Sequence, residues 1–122
     1  TDAVDGGYGA QQWTPIAEGA SGVLYADTRE LPPSGISTRR LWVRWHSAED
    51  DAGMGLLAGQ AVEWEMEFDC QPALVRTWHT LIYAPDGQLQ HVDASRPYAW
   101  AQVAEGALEQ FAWQQACSDP QQ

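Results

Sequence analysis

Four carboxylates recur at every second position of one short stretch: Glu63, Glu65, Glu67 and Asp69. In a strand that spacing puts all four on one face, about 6.5–7 Å apart. Such a stripe could act as a cation ladder or dock a basic partner. The competing reading is a solvated outer face relieved by arginine from a neighbouring strand. If Gln71-Pro72 forms a two-residue turn, Arg76 falls opposite Glu67 and supplies that relief. Carboxylates spaced this way do not converge on one ion, so calcium is not expected. His46 with Glu49, Asp50 and Asp51 has the residue types of a metal site. It lies on a loop with no orienting partner in view, which reads more simply as solvated acid. His79 shares a face with Leu81 and Tyr83 and reads as a core-edge histidine, and His91 as a strand-surface residue.

Other chemistries are missing from the sequence. No serine sits in a Gly-x-Ser-x-Gly elbow, and no glycine-rich loop is placed to cradle phosphate. There is no lysine, which removes Schiff-base catalysis, a phosphate-binding Walker lysine and a Ser-Lys dyad. We therefore expect no catalytic residues, no metal and no cofactor.

The tryptophans offer more. There are seven in 122 residues. Trp45 and Trp64 alternate with charge and are core candidates. Trp42 and Trp78 fall on the other face of their strands, beside Arg40, Arg44 and Arg76. A sheet face mixing Trp and Arg has the composition of an interaction surface. Trp42, Arg44, Arg76 and Trp78 are accordingly the candidate protein-binding residues. The alternative is that this face lies under the helix, or packs indole rings beneath arginine stems. A homodimer through this face, or through an edge strand such as Thr38–Ser47, would use the same residues.

The elements that must position these side chains are legible from periodicity. Residues 1–12 are polar and glycine-rich and read as a flexible leader. A short edge segment is expected at Trp13–Ile16, where Pro15 is tolerated, and a strand at Gly22–Thr28. Leu31–Gly35 contains two prolines and reads as a loop. Strong alternation marks strands at Thr38–Ser47 and Ala61–Cys70, joined by a mobile connection over Ala48–Gly59. Pro72 separates the second of these from its hairpin partner, Leu74–Tyr83. Pro85-Asp86-Gly87 is a turn, Leu89–Asp93 a short strand, and Tyr98–Val103 a further candidate. From Glu105 to Ala116 the period lengthens to that of a helix, with Leu108, Phe111, Ala112 and Gln115 on one stripe. Ser118-Asp119-Pro120 stops it, leaving 119–122 as a tail.

The chain has the size of one domain, 13–118. Seventeen carboxylates against six arginines give a net charge of −11. Phosphate backbones and anionic headgroups would repel it, so neither nucleic acid nor direct membrane insertion is expected. Cys70 and Cys117 are the only cysteines, one closing a strand and one closing the helix. Paired, they would staple sheet to helix and mark an oxidising compartment. They are 47 positions apart, and closing a loop of that length stabilises by about 4 kcal/mol. The alternative is two buried free thiols in a cytosolic protein.

Taken in order, Trp13 and Ile16, Tyr25-Ala-Asp27, Leu41-Trp42-Val43, Phe68-Asp69-Cys70, Arg76, Trp100-x-x-Val103 and Glu109–Cys117 resemble the surface-adhesin protein E family of Gram-negative bacteria. The resemblance covers about residues 13–118. It implies an α+β fold: a single antiparallel sheet of about six strands, with a C-terminal helix against one face tied by Cys70–Cys117. It also implies export, to the periplasm or the outer-membrane surface, and non-enzymatic binding of extracellular-matrix or cell-envelope proteins. Two other readings compete with this one. The first is a periplasmic accessory protein with only self or envelope partners. The second is a small-ligand carrier, which would need a concave pocket that the sequence does not announce.

Overall fold

The computed structural model describes residues 13–27, 38–93 and 99–117. The expected leader, the Leu31–Gly35 loop and the 119–122 tail lie outside these residues. Seven strands and one helix follow in chain order: β1 (Trp13–Gly19), β2 (Gly22–Asp27), β3 (Thr38–Ser47), β4 (Ala61–Asp69), β5 (Leu74–Tyr83), β6 (Leu89–Asp93), β7 (Ala101–Gln102) and α1 (Leu108–Cys117). β1 to β6 form an antiparallel meander in sequence order, and β7 pairs with the first residues of β5. Thr38–Ser47 is therefore not an edge. It is held between β2 and β4, and the outer strands are β1 on one side and β6 with β7 on the other. Of the segment expected at Tyr98–Val103, only Ala101–Gln102 is strand, and Tyr98 lies outside the described residues.

Period-2 alternation divides the sheet into two unlike faces. Leu24 and Ala26 of β2, Leu41, Val43 and Trp45 of β3, Val62, Met66 and Phe68 of β4 and Val75 of β5 form the main core, with Trp64 packed against it. α1 closes this face through the buried Ala112, flanked by Leu108, Trp113 and Ala116. The helical stripe thus runs 108–112–116 and not through Phe111 and Gln115, both of which face out; Phe111 is 41% exposed. Two anchors on adjacent sheet residues set this rotation. Trp113 Nε1 donates to the Asp69 carbonyl at 3.1 Å, and one turn later Cys117 is bonded to Cys70 with Cα atoms 5.6 Å apart. Gly106 has φ of +82°, a left-handed conformation that ends the preceding turn. The Gln110 side chain accepts from its N–H at 2.8 Å, so the helix starts at Leu108 and not Glu105.

The connection from β3 to β4 is cross-bonded. Asp51 and Leu56 exchange backbone hydrogen bonds at 2.8 and 3.0 Å, and Leu56 enters the core. The Asp50 carboxylate accepts from Ala58 N at 2.9 Å and the Asp51 carboxylate from Met54 N at 3.1 Å. These acids shape turns, as short side chains of this kind do.

Candidate functional site

The face away from α1 carries the stripe found in the sequence. Glu63, Glu65 and Glu67 do share one side of β4, yet they are not solvated: Glu63 and Glu67 are 0% exposed and Glu65 7%. A bare carboxylate cannot be taken out of water at tolerable free energy unless it is paired and hydrogen-bonded. The neighbouring strands supply the pairing. β3 places Arg40, Trp42 and Arg44 opposite Glu67, Glu65 and Glu63. Arg44 bonds its direct neighbour Glu63, which also accepts from Tyr83 Oη at 3.2 Å. Arg40 instead reaches diagonally to Glu65, because Glu67 is engaged from the other side. There Arg76 Nε donates to Glu67 at 2.8 Å and Trp78 Nε1 to the same oxygen at 3.0 Å. The expected pairing of Arg76 with Glu67 is present in the strand register.

A β-bulge completes the arrangement. Glu65 pairs with His79 and Met66 with Thr77, so Trp78 is the extra residue on β5. Without that shift, strict alternation would send Trp78 and His79 to opposite faces. With it, Trp78 bonds Glu67 while His79 Nε2 sits 3.2 Å from Glu65. Aromatic rings then roof the ion pairs. The Arg40 guanidinium lies 4.5 Å from the centre of the Trp78 ring and Arg44 lies 5.6 Å from that of Tyr83. Arg76 lies between Trp78 at 5.2 Å and Trp100 at 4.5 Å, and Trp42 stacks on His79. Three carboxylates and three guanidiniums therefore neutralise one another beneath indole and phenol rings.

All four sequence candidates fall on this face, in two groups separated by β4. Trp42 and Arg44 come from β3, and Arg76 and Trp78 from β5. They differ in access. Trp42 is buried and joins a second small cluster with Ala61, Leu81 and Tyr83, against which Trp13 packs. Arg44, Arg76 and Trp78 remain partly exposed. Trp100 belongs with them and was missed, since its contact with Arg76 crosses from a different part of the chain. Among the described residues no three His, Cys, Asp or Glu side chains converge as a metal site. A concave space on the opposite face, lined by Trp64, Met66 and Leu108 among others, was also not expected.

A disulfide-tied helix on one face of an antiparallel sheet, with a layer of aromatic-capped ion pairs on the other, defines a two-faced scaffold. The chain belongs to the surface-adhesin protein E family, whose match spans residues 13–118. No curated protein matches it significantly, and no solved structure does. Membership makes this an adhesin-like surface protein and hence an exported one, in keeping with a disulfide that persists in oxidising compartments. No helix among the described residues is long and apolar enough to cross a membrane.

Proposed function

We propose that this is a non-enzymatic domain, placed in the periplasm or on the outer-membrane surface of a Gram-negative bacterium, that binds extracellular-matrix or cell-envelope proteins through its Arg/Trp face. The observation that carries this reading is the partly exposed stack of Trp78, Arg76 and Trp100. Its guanidinium is already oriented by a buried carboxylate, so little side-chain entropy remains to be lost on contact. Trp and Arg in this state are the residue types that dominate binding hot spots. Arg44 extends the contact, and the buried Trp42, stacked on His79, packs on the same face.

Binding of the oxidised domain to immobilised laminin and vitronectin tests the reading, with Arg76→Lys and Trp78→Phe as variants whose folding is verified by circular dichroism at the assay temperature. Saturable binding that both variants weaken at least fivefold supports it. Saturable binding that neither variant changes would move the contact elsewhere, and no binding would leave the envelope as the place to seek partners. A second reading is a homodimer through β6. It is favoured by Leu89 and Val92, each 45% exposed on an outer strand, a pattern that invites strand addition. Sedimentation of wild type against Val92→Lys discriminates it.

A further inference from the structure

Six strands at about 4.8 Å spacing make a sheet about 24 Å wide, whereas a helix with its side chains is about 10–12 Å across. One helix cannot cover such a face. α1 lies over β1 to β4, and beside it the core face of β4 and β5 opens into a concave space of about 460 Å³. That is within the range of small-molecule sites. Its floor is Trp64, Met66 and Val75. Met54, Leu108 of α1 and Ala101 of β7 also line it. The methionine thioethers adapt readily to a flexible hydrocarbon, and the indole offers it a broad apolar surface.

Two charged residues border the space, Arg76 and Glu109. The Arg76 guanidinium is committed to the other face of the sheet, to Glu67 and the rings of Trp78 and Trp100. The Glu109 side chain, in the first turn of α1, makes no hydrogen bond or ion pair with another described residue. The charge available to a ligand at this site is therefore negative, on a protein that is itself strongly acidic.

We propose that this space binds a small cationic amphiphile, a single hydrocarbon chain bearing an ammonium group, with the chain over Trp64 and Met66 and the ammonium at Glu109. At roughly the 30 Å³ that one water occupies per methylene, the volume holds a chain of about ten to twelve carbons with its head group. This inference concerns the helix-side face and goes beyond the protein-binding reading, which rests on the opposite one.

Isothermal titration calorimetry of the oxidised full chain with decylammonium, decanol and decanoate, each below its micellar threshold, tests it. The expected order is ammonium, then alcohol, then carboxylate, with about tenfold between the first and last at low salt. Glu109→Gln should reduce that ratio to about threefold, the remainder reflecting the overall field. Ala101 pairs with Val75 on the core face and Gln102 with Leu74 on the other. Ala101→Trp should therefore abolish binding of all three probes, while Gln102→Trp next to it leaves binding intact. Absence of saturable binding, equal binding in Ala101→Trp, or an undiminished ammonium preference in Glu109→Gln would each overturn the proposal. None of these outcomes bears on attachment to matrix proteins.

Discussion

Replacing Arg76 by methionine would expose how much the fold depends on its buried acids. Glu67 has no solvent contact, whereas the Arg76 side chain is 24% exposed. Removing one partner of a fully buried pair costs about 3–5 kcal/mol, because the remaining charge is left uncompensated. Two features lower that figure here: Trp78 Nε1 still donates to Glu67, and water can enter along the path the arginine occupied. One raises it, since the guanidinium stacks on Trp78 and Trp100 are lost, at about 0.5–1 kcal/mol each. We expect a net loss of about 3 kcal/mol. In urea, at a slope of about 2 kcal/mol per M for a domain of this size, the midpoint should fall by about 1.5 M. The double variant Glu67→Gln/Arg76→Met removes the charge but keeps an acceptor for Trp78, and should recover to within about 1 kcal/mol of wild type. A midpoint shift below 0.5 M in the single variant would show that water screens the pair. A double variant no better than the single would show that lost packing, not stranded charge, is responsible.

Three further perturbations probe other parts of the scaffold. The Cys70→Ser/Cys117→Ser variant should lose about 4 kcal/mol, lowering Tm by about 12–20 °C in a calorimetric scan. Trp113→Phe keeps the ring in the core but removes the bond to Asp69, and should cost about 1 kcal/mol in chemical denaturation. At Gly22 an added Cβ would lie 2.3 Å from the His46 carbonyl oxygen and 2.7 Å from the Trp45 ring. Gly22→Ala should therefore lower stability by about 2–3 kcal/mol, visible as a Tm decrease.

The longer strands were legible because apolar and polar residues alternate along most of their length and breakers separate them. Thr38–Ser47 and Leu74–Tyr83 emerge with the bounds their sequence gives, and Pro72 and Pro85-Asp86-Gly87 separate their neighbours. What alternation cannot supply is the environment of the face it assigns. Glu63, Glu65 and Glu67 look like surface acids along the chain. Their burial depends on Arg40, Arg44 and Arg76 arriving from β3 and β5 and on rings closing above them. The bulge at Trp78 is equally hidden, since one inserted residue leaves no compositional mark. Of the expected helix stripe, Leu108 and Ala112 face the core while Phe111 and Gln115 do not, because the rotation of α1 is set by Asp69 and Cys70 on another element. The cleft has no local signal at all. It follows from the width of a sheet against the width of a helix.

The paired layer on the Arg/Trp face also governs how the molecule looks from a distance. Three of the six arginines and three of the seventeen carboxylates cancel within it, leaving fourteen acids and three arginines for the rest of the chain. The long-range field is therefore nearly of one sign, although the Arg/Trp face carries arginine. Under the proposed function, an approaching protein would be sorted by that field before it touched any ring or guanidinium. Basic partners are drawn in at rates that fall steeply with salt, and acidic ones are turned away. On the proposed reading, recognition is thus divided between an acidic exterior that selects who arrives and a neutralised aromatic layer that would meet them.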